Sequence, residues 1–210
     1  CGCHRDMHQR NIGRRIAHCW KESGHGRLDL IGALRQSCNV YFYQLGLMVG
    51  DTAINTYAEM FGFGKRTGID LPRERSGWLS GEEAYNERFK KRGWTWTRGL
   101  VLDLAIGQPQ LVTPLQLAMM AAGMGTVSYI YVPSVMREVK TRTGSLIRRH
   151  EPHILHTIDI KEQTRETMHT SLVRAVGPGG TGGRACVRGI PVGCKTGSAE
   201  NPHAEKTHGL

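Results

Sequence analysis

No run of about 18 apolar residues occurs in this 210-residue chain, so no segment of it reads as a membrane-spanning helix. Aromatic residues are scarce at 7%, while glycine is abundant at 27, a balance that predicts many turns. Acidic residues are outnumbered, 18 against 28 lysines and arginines, leaving a net charge of +10. That excess invites a nucleic-acid reading, but no zinc-finger, RNA-binding or helix-turn-helix signature accompanies it. The basic residues are scattered, with short groups at Arg14-Arg15, Lys90-Lys91-Arg92 and Arg148-Arg149. They fit a solvated surface facing anionic polymer or lipid headgroups, and nucleic acid is not an expected partner. No internal repeat is evident, and no signal-peptide pattern follows Cys1. Both ends read as cut. The length suits one domain, or a large part of one, with room for a real core.

Helical patterning dominates the first 125 residues, after an irregular Cys/His-rich segment over 1–26. Residues 28–36 (LDLIGALRQ) have helical spacing, with Asp29 placed where a carboxylate suits a helix N-terminus. Residues 40–49 (VYFYQLGLMV) are apolar nearly all round and predict a buried helix. Asp51 is the expected cap of a third helix, whose Ile54, Tyr57, Ala58 and Phe61 share a face. A Gly- and Pro-punctuated loop follows over 62–81, then a charged surface helix over 82–92. Residues 100–106 suit strand or helix, and Thr113-Pro114 is a cap with a proline at the first helical position. Residues 127–141 and 146–158 are strand-like, 161–176 form an amphipathic helix, and GPGGTGG over 177–183 reads as a mobile loop. A strand is expected over 190–196. The resulting division is a mostly helical lobe over 27–125 and a sheet-associated part over 126–210.

Two triplets carry chemistry: Ser37-Cys38-Asn39 and, about 160 positions later, Lys195-Thr196-Gly197. In a Ser-x-Asn turn the first and third side chains can point the same way. Ser37 can relay a proton between a lysine and a leaving nitrogen. Asn39 can both donate to and accept from a peptide-like amide. Lys195 suits a substrate carboxylate and can tune the Ser37 proton, and Thr196 adds a hydroxyl. Gly197 lets a substrate lie against backbone, which places the Ser198 N–H for an oxyanion. No serine has lysine three positions later; Ser134, Ser145 and Ser171 have arginine there. The pair therefore makes the walls of an acyl-transfer site without its nucleophile. Each triplet alone is a common turn, and Arg66-Thr67-Gly68 and Arg142-Thr143-Gly144 are decoys for the second.

Context raises their weight. Cys19-Trp20-Lys21, Gly24-His25-Gly26, SCNVYFYQLG at 37–46, FGFGKRTGIDLPRERSG at 61–77, TPLQLAMMAA at 113–122 and CKTGSAENPH at 194–203 occur in one order. Together they closely resemble the transpeptidase domain of class B penicillin-binding proteins, in particular the elongation-type subfamily that builds the lateral wall of rod-shaped bacteria. The resemblance covers nearly the whole chain. It implies an α+β, penicillin-recognising serine transpeptidase fold: an antiparallel sheet flanked by helices, plus a helical lobe. It also implies D-Ala-D-Ala transpeptidation of peptidoglycan stem peptides through an acyl-enzyme that β-lactams trap. Ser37 and Asn39 match the family's second element, and Lys195, Thr196 and Gly197 its third. The Ser-x-x-Lys element is expected upstream of Cys1, and the last strands and C-terminal helix beyond Leu210. No cofactor is required for this chemistry. The implied location is the periplasmic face of the bacterial inner membrane, with a membrane glycosyltransferase and elongation-complex proteins as partners. The chain departs from the family at Gly107-Gln108-Pro109, where a third glycine is usual, and at residues 123–132. Ser198 stands where threonine is commoner.

Cys19, His25 and Cys38, with Cys1 and Cys3 upstream, form a separate cluster. Its spacing fits no standard zinc finger, and three states remain open: zinc, a disulfide such as Cys3 to Cys19, or free thiols. The metal set would be Cys3, Cys19, His25 and Cys38, with Cys1, His4, His8 and His18 as substitutes. The resemblance supports zinc at these positions. If Ser37 and Asn39 face a cleft, Cys38 faces away, and a metal there would brace the turn from behind. Three functions compete: part of a D,D-transpeptidase, a non-catalytic relative serving as a binding or structural module, and a basic polymer-binding module.

Overall fold

The computed structural model describes residues 2–3, 9–12, 15–126, 129–199 and 208–209. Asp29 starts the first helix, because its side chain accepts the Gly32 N–H at 2.7 Å and caps α1, Leu30–Gln36. The chain turns at Ser37 and re-enters helix as α2, Asn39–Met60. The two helices expected over 40–61 are both present within it, separated by a kink at Gly50, whose φ of 79° and ψ of 169° are not helical. The Asp51 carboxylate accepts the Glu82 N–H at 3.0 Å, at the start of α3, Glu82–Phe89. The segment left open between strand and helix is helical: α4, Arg98–Ala105.

The contacts divide the chain into two compact units that interleave along it. The first comprises Cys1–Ile54, Ser80–Pro109 and Lys161–Leu210; the second comprises Asn55–Leu79 and Gln110–Ile160. All strand pairs are antiparallel two-stranded ladders among the described residues. In the first unit β1 (Gly2–Cys3) pairs with β4 (Gly26–Arg27), and β2 (Gln9–Ile12) pairs with β3 (Arg15–His18). Its core gathers Ala17, Cys19, Ala33, Cys38, Val40, Tyr43 and Leu102. Gly46 is there because α2 and α4 approach too closely for a side chain: a Cβ at Gly46 would lie 2.4 Å from the Ala105 Cβ.

The helix α6, Glu162–Val176, packs on α1, and two loops lie along it. The Gly182 N–H donates to Ala175 O at 2.8 Å and the Thr181 N–H to Arg35 O at 3.3 Å. The glycine-rich stretch over 177–183, expected to be mobile, is therefore a packed loop. Its glycines serve close approach: Cβ atoms at Gly179 and Gly180 would fall 2.1 Å from the Arg35 guanidinium and from Ala175 O. The strand expected over 190–196 is also corrected. Cys194 donates its N–H to Leu172 O of α6 at 3.1 Å, and ladder pairing begins only at β9, Ser198–Ala199, opposite β10, His208–Gly209.

In the second unit the expected cap is present. Thr113 and Gln116 form a capping box on α5, Pro114–Gly125, with Pro114 at its start. Gln116 is fully buried and gathers the preceding loop: its Nε2 donates to Lys65 O at 2.8 Å and Ser76 O at 2.9 Å. Glu74 accepts the Thr67 and Gly68 N–H groups. Asp70 accepts from the Ser134 hydroxyl and from the N–H groups of Val135 and Met136. Two ladders follow: β5 (Tyr129–Tyr131) with β8 (Ile154–Thr157), and β6 (Glu138–Lys140) with β7 (Leu146–Arg149). A small core of Met119, Ile130 and Ile158, with Phe61 and Ile160, fills this unit.

The tight helix crossing is testable. Gly46→Val should overpack the α2–α4 contact and cost about 1–3 kcal/mol, read as a lower midpoint in denaturant unfolding.

Candidate active site

The site is built on the turn between α1 and α2. Ser37 adopts a left-handed conformation (φ 51°, ψ 49°) that costs a non-glycine residue on the order of 1 kcal/mol. The turn is held from several sides. Ser37 and Cys38 donate their N–H groups to Leu34 O and Ala33 O, and Trp20 Nε1 donates to the Gln36 and Ser37 carbonyls at 3.2 and 3.0 Å. These bonds satisfy carbonyls that a helix end leaves open. Cys38 is fully buried in the core, while Ser37 and Asn39 line a cleft of about 690 Å³.

Lys195, Thr196, Gly197 and Ser198 line the same cleft. Both triplets thus meet across about 160 residues of chain. Lys195 Nζ donates to Ser37 Oγ at 2.7 Å and to the Thr196 carbonyl at 2.7 Å. Loss of water around the ammonium lowers the Lys195 pKa below that of an ordinary lysine, with the neighbouring Cys194 opposing. Thr196 Oγ1 is 3.3 Å from Ser37 Oγ. Gln108, from the turn after α4, also lines the cleft, so the Gly107-Gln108-Pro109 departure lies at its wall.

Two participants were not singled out from sequence. Thr181 Oγ1 is 3.2 Å from Ser37 Oγ and 2.8 Å from Thr196 Oγ1. Its only linear signal is a lone hydroxyl within a glycine run. Trp20 lines the cleft at 58% exposure and presents its ring edge-on to His25, 5.2 Å between centroids.

Behind the turn, one ligand atom each from Cys19, His25 and Cys38 lies within 4.8 Å of the others. Cys19 Sγ is 3.4 Å from His25 Nδ1. Tetrahedral zinc, with bonds of about 2.3 Å to sulfur and 2.0 Å to nitrogen, sets such a pair about 3.5 Å apart. The other ring nitrogen, His25 Nε2, is buried without a hydrogen-bond partner. The Cys19 thiol is held down to about 4, chiefly by its bond to the Cys38 side chain; backbone N–H groups at Lys21, Val40 and Asn39 assist and burial opposes. Two soft sulfurs, one of them thiolate-prone, and an imidazole fit zinc. Cys19 carries a free thiol, so the Cys3 to Cys19 bridge is not formed. The strand register sets the Cys3 backbone opposite Gly26, beside His25. The Cys3 side chain, Cys1, His4 and His8 lie outside the described residues, and His18 is exposed.

A family model described as the penicillin binding protein transpeptidase domain matches residues 6–209. The chain belongs to the penicillin-binding protein transpeptidase domain family. Its likenesses place it with the class B, elongation-type members. It is 37% identical over 119 residues to the peptidoglycan D,D-transpeptidase MrdA of Acinetobacter baumannii, covering 56% of this chain and 17% of that protein. It is 31% identical over 183 residues to stage V sporulation protein D of Bacillus subtilis, covering 87% of this chain and 26% of that protein. A solved complex of the penicillin-binding protein PBP2 with MreC from Helicobacter pylori matches 96% of this chain and 36% of its own, at 25% identity and a TM-score of 0.77. The chain therefore spans about a quarter or less of the curated relatives named here. The structural match supports the α+β, penicillin-recognising fold.

The environment of Lys195 gives a direct prediction. In NMR titration of ¹³C-methylated lysines, the resonance lost in Lys195→Arg should show a midpoint below the 10.5 of an ordinary lysine. A midpoint at or above that value would contradict the desolvated placement.

Proposed function

We propose that this chain forms the cleft of a peptidoglycan D,D-transpeptidase, with the acyl-forming serine supplied by a Ser-x-x-Lys segment outside these 210 residues. The observation that carries the reading is the 2.7 Å bond from Lys195 Nζ to Ser37 Oγ, which joins the two triplets at one hydroxyl. The substrate is a stem peptide ending in D-Ala-D-Ala, and β-lactams are trapped in its place. Lys195 and Thr196 hold the substrate carboxylate, and Gly197 leaves room for peptide along the backbone. Asn39 bonds the substrate amide, and the Ser198 N–H faces the developing oxyanion. Ser37 gives its proton to the leaving nitrogen and takes one from Lys195, which is recharged by the proton released from the nucleophile. Family membership and the D,D-transpeptidase relatives support this activity over a non-catalytic module. The work is cross-linking at the periplasmic face of the inner membrane, alongside a membrane glycosyltransferase and elongation-complex proteins. The PBP2–MreC complex supports the last of these.

Cys19, His25 and Cys38 would hold a structural zinc, with Cys3 as fourth ligand. A bound ion there ties the back of the Ser37–Asn39 turn together and takes no part in the acyl transfer.

Fluorescent penicillin tests the first reading. The protein joined to its Ser-x-x-Lys segment should label covalently, and the 210 residues alone should not. Ser37→Ala or Lys195→Ala should slow labelling by about 10²–10⁴-fold. No labelling of the joined protein would favour the non-catalytic alternative; labelling of the chain alone would mean it holds a nucleophile of its own. Metal analysis tests the second reading. About one zinc per chain is expected, lost in Cys38→Ser, with a lower thermal midpoint after chelation. Zinc well below one equivalent would sink it.

A further inference from the structure

Ser37 has more hydrogen-bonding neighbours than a serine relay needs. A hydroxyl has one proton and two lone pairs. Around Ser37 Oγ stand Lys195 Nζ at 2.7 Å, Thr181 Oγ1 at 3.2 Å and Thr196 Oγ1 at 3.3 Å. Lys195 as an ammonium can only donate, so it fills one lone pair. A relay that must hand its proton to a substrate nitrogen needs the other lone pair filled as well; otherwise its proton can turn inward to a threonine. Within this triangle of hydroxyls, Thr196 lies nearer to Thr181, at 2.8 Å, than to Ser37. The order Thr196 to Thr181 to Ser37 uses each hydroxyl once and leaves the Ser37 proton for the cleft. When a substrate carboxylate claims the Thr196 proton, Thr181 still has a proton for Ser37.

We propose that Thr181 is a positioning residue that donates to Ser37 and so aims the Ser37 hydroxyl at the substrate. The proposal rests on the relay reading of Ser37 given above. The backbone supports it independently, because the Thr181 loop is fastened to α1, the helix that Ser37 caps. The Thr181 N–H donates to Arg35 O, and Arg35 lies in the last turn of α1, two residues before Ser37. Gly182 anchors the far side of the loop on Ala175 O, and Gly179 leaves no space between backbone and the Arg35 guanidinium. Thr181 is therefore tied to α1 through the Arg35 carbonyl. During transfer, the leaving nitrogen takes the Ser37 proton and Ser37 takes one from Lys195. The Thr181 proton stays on Thr181 throughout.

The experiment uses the protein joined to its Ser-x-x-Lys segment and measures penicillin acylation, separating the rate constant at saturation from the noncovalent Kd. Thr181→Val should lower the rate constant about tenfold, equivalent to about 1.4 kcal/mol, with Kd unchanged. Thr181→Ser, which restores the hydroxyl, should return it to within about twofold. Because Thr181 acts through Ser37, the double variant Ser37→Ala/Thr181→Val should be no slower than Ser37→Ala. A wild-type rate in Thr181→Val, failure of Thr181→Ser to rescue, or additive losses in the double variant would each overturn the proposal. If Thr181→Val does not fold, the Thr181→Ser and Thr181→Ala pair gives the same reading. An unchanged rate in Ser37→Ala would instead take down the relay on which the proposal stands.

Discussion

The left-handed turn at Ser37 is the constraint on which the rest of this site depends. A continuous helix from Leu30 to Met60 would rotate Ser37, Cys38 and Asn39 by about 100° per residue and could not sort them to two sides. The turn does sort them. Cys38 enters the core, while Ser37 and Asn39 line the cleft. The strain is offset by bonds from three directions: α1 carbonyls accept the turn's N–H groups, Trp20 closes its free carbonyls, and Lys195 reaches its hydroxyl. One short segment thereby carries the reacting face on one side and the sulfur cluster on the other. Trp20 touches both, through its indole N–H and through its ring edge on His25.

The scaffold is stabilised by burial and by polar groups aimed at backbone. Its surface ion pairs contribute little. Lys65–Glu59, Lys140–Glu138 and Arg149–Glu138 all keep substantial exposure, and such pairs give about 0–1 kcal/mol each. Gln116, Glu74 and Asp70 instead satisfy loop N–H and C=O groups. Burial pushes the Glu74 carboxyl up, but the Thr67 hydroxyl and the Thr67 and Gly68 N–H groups outweigh it, leaving its pKa lowered. The Asp70 carboxyl is lowered chiefly by the Val135 N–H and the Ser134 hydroxyl. Several segments that carry the family resemblance, notably 61–77 and 113–122, are therefore scaffold that holds the second unit together.

Local signals were legible where a residue acts on its own neighbours. Asp29 capping α1 and Thr113-Pro114 opening α5 depend on contacts within a few residues, and the β6–β7 hairpin joins neighbouring segments of chain. The misreadings share a cause. The glycine run over 177–183 has the composition of a free loop, but its backbone is pressed onto Arg35 and Ala175, far away in sequence or on another element. Residues 190–196 have the residue types of a strand, yet Cys194 bonds to a helix. Thr181 could not be found, because one threonine among glycines has no periodicity and no motif of its own.

The sequence by itself determined the family, the two triplets, the missing nucleophile motif and the composition of the cysteine cluster, since residue types and their order are linear properties. Tertiary structure alone decided which groups meet. It brought Lys195 within 2.7 Å of Ser37, turned Cys38 away from the cleft and added Thr181 as a third hydroxyl. Those outcomes depend on one strained turn and on a loop packed against α1 and α6. Local bonds hold each in place, but the meeting of Ser37 with Lys195 and Thr181 joins residues more than a hundred positions apart, which no local pattern records.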